Sequence, residues 1–440
     1  MILSTPEPYN QCCHTGVNKM LADNTSKEIY QALIDIPILD PHSHINPHAA
    51  ASKSLEDILG YHYYTELAHS CGMDKKFLAA EIPGKEKVLE IIRHMNQFDN
   101  TAQYSWFLEI AQVFLDFKGD RITPKDTDFL WTSAQKKMAS PTWEAQVLKT
   151  SNLEKIFLTN DFDDPLEGFD TTFYIPCLRT DELVFHFGRN NVQNRLGKTT
   201  GINPGNAAEL DKCINGLFKH FCNKGAKACA ISLPPDFSPA KSSNSDLDQC
   251  FKNGDFDSNI WKNGIFWKLA EACSQWKLPF DLMIGVNRNV YQNGVYQGKD
   301  LYDQRTSLIQ YAPLFNFFPD VTFCVSVLTS NQNQELSSYS WIFPNVIAHG
   351  HWWYSNIPVH IEQDTRARMQ ASPKTKQIGY YSDMYKLEFG LPKFNMYRKI
   401  LSNILARDFL QTKKHTLEET IALGKLILRG NSERIFNLQN

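Results

Sequence analysis

Eight short apolar stretches, separated by stretches of helical periodicity, predict an α/β fold of the (β/α)8 TIM barrel class. The apolar stretches span residues 36–39, 155–159, 173–178, 228–233, 280–286, 321–327, 345–348 and 378–381. Near-continuous apolar strands that alternate with helices are typical of a parallel sheet covered on both faces. A doubly wound open sheet is the alternative, but no Gly-x-Gly-x-x-Gly follows any of these strands.

The stretches between the predicted strands define the organisation of the chain. Residues 1–25 are polar, and we expect an irregular N-terminal lead-in. Residues 26–440 are predicted to form one barrel domain, with residues 47–152 as a helical insertion subdomain after the first strand. Further helices are expected over residues 26–33, 207–222 and 260–276. Residues 238–257, rich in Ser, Asn and Asp, are predicted to be a polar loop.

The composition excludes several function classes. A net charge of −3 without a basic patch argues against nucleic-acid and membrane-surface partners. No apolar run approaches the length of a membrane span, and the first residues lack the features of a signal peptide. The 10 cysteines are scattered without a Cys-x-x-Cys, which favours reduced thiols. We therefore expect a cytoplasmic protein.

Two histidines at the end of the first predicted strand indicate a metal site. His42 and His44 are two residues apart, so on an extended backbone both imidazoles point to the same side. Asp383 follows the last predicted strand, which neighbours the first in a closed barrel. Two imidazoles and a carboxylate with an open position are typical of catalytic metals. The alternatives are two loop histidines and an aspartate that caps a helix.

Several segments, in order along the chain, carry a resemblance to a known family. They are Asp40-Pro-His42-Ser-His44, Gly60-Tyr-His62-Tyr63, the Thr159–Pro165 turn, Ile175-Pro-Cys-Leu-Arg179-Thr-Asp181, Ile284-Gly-Val-Asn-Arg288-Asn289, Trp352-Trp353-Tyr-Ser-Asn356, Asp383 and residues 431–438. Together these segments resemble the uronate (glucuronate) isomerases of the amidohydrolase superfamily.

The resemblance implies an isomerase that interconverts an aldehyde hexuronate and its 2-keto isomer. It implies one divalent metal, often zinc, with manganese or another divalent ion as the alternative, held by His42, His44 and Asp383. It also implies that Asp383, His62 and Tyr63 are catalytic, and that Arg179, Arg288 and Trp352 bind the substrate. His349 is a further candidate ligand, because His349 and His351 are also two residues apart after a predicted strand. The expected partner is a small sugar acid, and homo-oligomer formation is left open.

Three departures from the family pattern keep other functions open. Tyr385 stands where the family has an arginine that grips an anionic substrate oxygen, and Met283 stands in place of a histidine. Ala230 and Ile231 replace an Asp-His pair. A metal-dependent hydrolase or lactonase acting on a sugar-acid-like substrate is therefore an alternative, as is a non-catalytic sugar-acid-binding protein.

Overall fold

The computed structural model describes residues 21–412 and 415–438. Most of the expected lead-in, residues 1–25, lies outside the described residues. Its last two residues are not irregular, because the first described helix begins at Asn24. The Asp23 side chain caps this helix by accepting a hydrogen bond from the Ser26 backbone N–H.

Except for β9, which no predicted apolar stretch covers, the strands of the described residues follow the predicted stretches to within a few residues. They are β1 Ile38–Asp40, β2 Leu153–Phe157, β3 Asn160–Asp161, β4 Tyr174–Ile175, β5 Cys177–Arg179, β6 Ala228–Leu233, β7 Phe280–Ile284, β8 Val286–Asn287, β9 Leu301–Tyr302, β10 Phe323–Val327, β11 Val346–His349 and β12 Gln377–Ile378.

The strands form two parallel ladders and one antiparallel pair. One ladder has the order β1-β2-β4, and the other has the order β12-β11-β10-β7-β6-β5-β3. All pairs within these ladders are parallel, whereas β8 and β9 are antiparallel. The predicted α/β class with a parallel sheet is thereby confirmed.

The two ladders continue into each other along the chain. Residues 158–159 separate β2 from β3, and Pro176 separates β4 from β5. Proline has no backbone N–H to donate to a ladder, which explains the interruption at Pro176. At the far edge, the Asp383 N–H donates to the His42 carbonyl at 3.2 Å, and the His44 N–H donates to the Met384 carbonyl at 2.8 Å. The segment after β12 therefore lies against the segment after β1.

Helices connect the strands. The α-helices are Asn24–Ile34, Leu55–Leu59, His62–Ser70, Gly84–His94, Ala102–Phe114, Thr127–Met138, Trp143–Ser151, Asp181–Phe185, Asn190–Thr200, Ala207–Asn223, Asn244–Asn253, Asn259–Trp276, Ala312–Phe317, Asn333–Ile342, Pro358–Ala371, Gly390–Ile404, Leu417–Lys425 and Asn431–Ile435. Short 3-10 turns are Lys75–Leu78, Met95–Gln97, Pro124–Asp126, Leu308–Tyr311, Ser330–Gln332, Trp353–Ser355 and Leu387–Phe389, and π-helical turns are Leu405–Gln411 and Leu426–Gly430. No helix in the described part of the chain is both long and apolar enough to span a bilayer.

The prediction of a polar loop over residues 238–257 is wrong. The helix Asn244–Asn253 occupies its centre and begins with a capping box between Ser243 and Asp246. Leu247 and Cys250 are three residues apart and buried, so one face of the helix packs against the core. Composition suggested a loop because Ser, Asn and Asp are common both in loops and at helix N-termini.

A compact cluster of buried side chains lies between the strands. Its members come from strands of both ladders and from the C-terminal segment: Leu39, Phe157, Ile175, Cys177, Ala228, Ala230, Cys324, Ile347, Ile378 and Phe436. Phe436 follows the last helix and packs its ring 4.7 Å from that of Phe157. Two strands of this cluster lead into the candidate site, because His42 and His44 follow β1 and Asp383 follows β12.

The helices between β1 and β2 are tied to the segment after Asp383 by a buried carboxylate. Glu388 accepts hydrogen bonds from the Ser52 backbone N–H at 2.9 Å and from Trp143 Nε1 at 2.7 Å. Burial raises the pKa of Glu388, and these donors only partly offset the rise. The same helical region places Tyr61, His62 and Tyr63 beside the candidate metal ligands.

Candidate metal centre

His42, His44 and Asp383 converge on one point. One ligand atom from each lies within 4.8 Å of the others. Asp383 Oδ1 lies 3.2 Å from His44 Nε2 and 3.8 Å from His42 Nε2. The two histidines follow β1 and the aspartate follows β12, so neighbouring segments bring together residues more than 300 positions apart. The structure therefore assembles the predicted ligand set.

The other ring nitrogen of each histidine has its own partner. His42 Nδ1 lies 3.1 Å from Asp281 Oδ2, and His44 Nδ1 lies 2.8 Å from Thr159 Oγ1. With Nδ1 engaged in this way, Nε2 of each ring is the nitrogen that faces Asp383. Such outer partners fix the orientation of a ligating imidazole and raise its basicity.

The donor set fits a divalent metal. Among the described residues, His42 Nε2 is buried without a hydrogen-bond partner, and the equally buried Asp383 Oδ1 has only the 3.2 Å contact to His44 Nε2. A buried polar atom without a partner is costly, and a cation at this point would satisfy both atoms at once. Burial raises the pKa of Asp383, but the imidazoles of His44 and His42 outweigh it and lower the value to about 2. The carboxylate is thus ionised at neutral pH, as a ligand must be.

Asp383 is held in an uncommon backbone conformation. Its φ is 54°, in the left-handed region, which aspartate tolerates better than most residues. The Tyr61 hydroxyl donates to the Asp383 carbonyl at 3.0 Å, and the Tyr63 hydroxyl donates to Oδ2 at 3.4 Å. These contacts leave Oδ1 directed at the histidines.

Aromatic rings surround the ligands. Tyr385 stacks on His44 with ring centroids 4.9 Å apart. His62 lies edge-to-face with Tyr385 at 5.6 Å and with Trp353 at 5.8 Å. Burial lowers the pKa of His62 to about 3, so its imidazole is neutral at pH 7. Burial also raises the pKa of Tyr63 far above its usual value, so its hydroxyl remains a proton donor.

Arg179 and Arg288 line a neighbouring cavity of about 590 Å³. Arg179 is the last residue of β5 and pairs with Asp181 at 3.1 Å. Arg288 follows β8 and pairs with Asp300 at 2.6 Å. Both guanidinium groups are thus anchored by acidic residues at one end of the sheet.

The structure separates His349 from His351. The two were expected to point to one side, but Gly350 between them has a φ of 50°, which ends the extended backbone. His349 Nδ1 lies 3.0 Å from Asp281 Oδ1, whereas His351 Nε2 lies 3.1 Å from Thr365 Oγ1 in the helix Pro358–Ala371. The group of converging ligand atoms does not include His349.

Trp352 and Trp353 also differ in their surroundings. Trp352 is buried in a cluster with Met283 and Tyr381. Trp353 contacts His62 and lies 6.2 Å from the ring of Tyr63. The tryptophan nearer to these two predicted catalytic residues is therefore Trp353.

Asp281 is the site residue that sequence reasoning missed. It is 3% exposed in the middle of the apolar strand β7, and it contacts both His42 and His349. A carboxylate within an apolar strand is itself a signal, because a buried charge needs partners.

The parallel strands and the convergent His42, His44 and Asp383 define an α/β protein with a candidate metal site. The chain belongs to the glucuronate isomerase family, whose model matches residues 15–429. It is 22% identical over 424 residues to a uronate isomerase from Thermotoga maritima. The alignment covers 89% of this chain and 92% of that protein.

Solved structures of two such proteins share the fold. The uronate isomerase structure from Thermotoga maritima superposes with a TM-score of 0.86 at 19% identity, covering 96% of this chain and 99% of the other. The glucuronate isomerase structure from Caulobacter crescentus gives a TM-score of 0.87 at 15% identity, covering 96% of both chains.

Proposed function

We propose that this protein is a uronate isomerase that interconverts an aldehyde hexuronate and its 2-keto isomer at a single divalent-metal site. The observation that carries the proposal is the convergence of His42, His44 and Asp383 in a chain of the glucuronate isomerase family. The expected partner is a small sugar acid.

We also propose that the parallel strands close into one barrel. A single (β/α)8 barrel is supported by the two parallel ladders that continue into each other and by the hydrogen bonds between the segments after β1 and β12. In this barrel, residues 47–152 are a helical insertion subdomain that contributes His62 and Tyr63 to the site. Catalytic residues would then lie at the carboxyl ends of the strands.

Zinc is the metal that best suits the ligands. Two imidazole nitrogens and one carboxylate oxygen, with an open position, are a common catalytic zinc set, and manganese is the alternative. A divalent ion bound here would supply Lewis-acid polarisation of substrate oxygens.

We assign the proton-transfer steps to His62, Tyr63 and Asp383. Isomerisation moves one proton from C2 to C1 and another between the two oxygens, with no external oxidant. His62 is neutral at pH 7, so its ring offers a free lone pair towards the C2 proton, and the Tyr63 hydroxyl stays protonated and can donate a hydrogen bond to a substrate oxygen. The Tyr63 hydroxyl donates a hydrogen bond to Asp383 Oδ2 at 3.4 Å, and the ionised carboxylate can in turn accept a proton from the substrate.

Arg179 and Arg288 would bind the substrate carboxylate. Both line the 590 Å³ cavity, and a guanidinium group binds a carboxylate through two parallel hydrogen bonds. Tyr385 stands where the family has an arginine, and it stacks on His44 instead of offering a cation. The anionic end of the substrate therefore depends on Arg179 and Arg288, whereas the predicted pocket wall, Trp352, does not line this cavity.

The test is conversion of hexuronates by purified protein loaded with zinc or manganese. The C2 proton should exchange with deuterated water, and the 2-keto product should appear by NMR. His42→Ala and Asp383→Ala should lose both metal and activity. If metal-loaded protein converts no hexuronate, the proposed isomerase activity is refuted.

A metal-dependent hydrolase or lactonase is the second candidate. The presence of Tyr385 and Met283 favours it, because hydrolysis does not need the arginine or the histidine that these residues replace. Turnover of a lactone or ester panel, without hexuronate isomerisation, would establish it. Ligand-induced thermal stabilisation without any turnover would instead indicate a sugar-acid-binding protein.

A further inference from the structure

Asp281 connects two histidines behind the metal ligands. Its Oδ2 lies 3.1 Å from His42 Nδ1, and its Oδ1 lies 3.0 Å from His349 Nδ1. His42 and Asp281 are 3% exposed and His349 is 0% exposed, so water does not compete for these bonds. One carboxylate therefore uses both of its oxygens on imidazoles.

The three residues come from three separate parts of the sheet. His42 follows β1, Asp281 lies in β7, and His349 ends β11. Strand β10 lies between β7 and β11 in the ladder, so the hydrogen bonds cross the interior instead of following the sheet. The Tyr381 ring packs against both imidazoles, 5.1 Å from His42 and 4.9 Å from His349. The geometry is thus restrained from several sides.

The hydrogen bonds determine the tautomer of His42. An ionised carboxylate only accepts hydrogen bonds, so each Nδ1 carries the proton. Burial raises the pKa of Asp281, but the two histidines more than compensate and hold it well below its usual range. With its proton on Nδ1, a neutral His42 presents a free lone pair on Nε2, the atom that lies 3.8 Å from Asp383 Oδ1.

We propose that Asp281 and His349 form a support that orients His42 and sets the metal affinity of this protein, with His349 acting through Asp281 as a positioning residue. The inference rests on the proposed metal site. His349 supplies the second donor that a buried carboxylate needs, and it prevents Asp281 from turning away from His42. Loss of such an outer partner typically weakens metal binding by about 10- to 100-fold.

The experiment measures zinc affinity by chelator competition for full-length protein. His349→Ala should weaken zinc binding by about 10- to 100-fold. His349→Asn should restore much of the affinity, because its amide N–H₂ can occupy the position of Nδ1 and donate to Asp281. Asp281→Asn should also weaken binding, because an amide cannot accept from both imidazoles.

His351→Ala is the matched control. His351 is 1% exposed and two residues from His349, but it bonds to Thr365 instead of Asp281. Its removal should lower thermal stability and leave the zinc affinity within about twofold of wild type, a difference of less than about 0.5 kcal/mol.

The visible spectrum of cobalt-loaded protein distinguishes a support from a ligand. His349→Asn should keep the wild-type cobalt spectrum, because His349 does not touch the metal in this proposal. A lost nitrogen ligand in that spectrum would overturn the proposal, as would unchanged zinc affinity in His349→Ala and Asp281→Asn. If His349→Ala does not fold, the zinc affinities of His349→Asn and Asp281→Asn still test the proposed support. Failure of wild-type protein and His42→Ala to differ in zinc binding would instead refute the metal site itself.

Discussion

Lys393 Nζ donates a 2.7 Å hydrogen bond to the carbonyl oxygen of Ser382, the residue before Asp383. The lysine is 0% exposed, and its ammonium lies over the rings of Tyr61, Tyr63 and Trp106 at 4.6–5.5 Å. A buried cation among aromatic rings, directed at one backbone carbonyl, holds the segment that presents Asp383.

Replacing Lys393 should change how stability depends on pH. Burial lowers the pKa of Lys393 to about 8, whereas the unfolded chain keeps the ordinary value of 10.5. Between these values the unfolded state binds more protons, so the free energy of unfolding should rise with pH by up to about 1.4 kcal/mol per unit. Below pH 8 Lys393 is charged in the folded and in the unfolded state, so the full cost of burying its charge lowers the free energy of unfolding.

Denaturant unfolding of wild type and Lys393→Met between pH 7.5 and 9.5 measures this effect. Asp40, whose pKa burial raises to about 6, and Asp383 are ionised throughout this range. Tyr61 and Tyr63 stay protonated in the folded state, and both are present in both proteins. Parallel pH profiles for the two proteins would contradict the prediction.

Removing the Tyr63 hydroxyl should slow the proposed reaction without loss of metal. Tyr63→Phe deletes the donor that lies 3.4 Å from Asp383 Oδ2, so kcat should fall by about 100-fold or more. Steady-state kinetics together with metal analysis measures both quantities. Tyr64→Phe is the matched control, because the buried Tyr64 hydroxyl donates to the Gln103 carbonyl instead. Equal kinetics in both variants would argue against a catalytic Tyr63.

Gly350→Ala should destabilise the protein by about 2–5 kcal/mol, through overpacking and a positive φ. A Cβ at Gly350 would lie 2.2 Å from the Tyr381 ring, at a φ of 50°. Gly72→Ala is the control for φ alone, because Gly72 has a φ of 99° and no atom within 4 Å of its Cβ position. We expect it to cost only about 1–2 kcal/mol, the penalty of the left-handed region. Similar losses in the two variants, measured by denaturant unfolding, would show that Tyr381 can move aside.

Chelation of the metal should lower the melting temperature. Binding to the folded state alone stabilises it by about 2.7 kcal/mol when free metal is 100 times its Kd. Calorimetry before and after chelation should therefore show a downward shift in wild-type protein and none in His44→Ala, which lacks one ligand. A shift of the same size in His44→Ala would place the stabilising metal elsewhere.

Local patterns predicted those features that depend on neighbouring residues. The apolar run of β6 was predicted with its observed bounds, Ala228–Leu233, because a buried parallel strand needs apolar residues on both faces. His42 and His44 were recognisable because two imidazoles at a strand end share one side. The helix Asn244–Asn253 was missed because its capping residues resemble a loop and its buried face is short.

The sequence by itself determined the α/β class with a parallel sheet, and it identified the residue types that can hold a metal. Tertiary structure alone decided which polar groups meet behind the predicted ligands. Asp281 joins His42 to His349 across the interior, and Gly350 turns His351 away from His349. The physical reason is that secondary structure follows from periodicities of a few residues, whereas the pairing of buried polar groups depends on strands that are 68 or 239 residues apart in the chain. Only the folded sheet brings those strands within hydrogen-bonding distance.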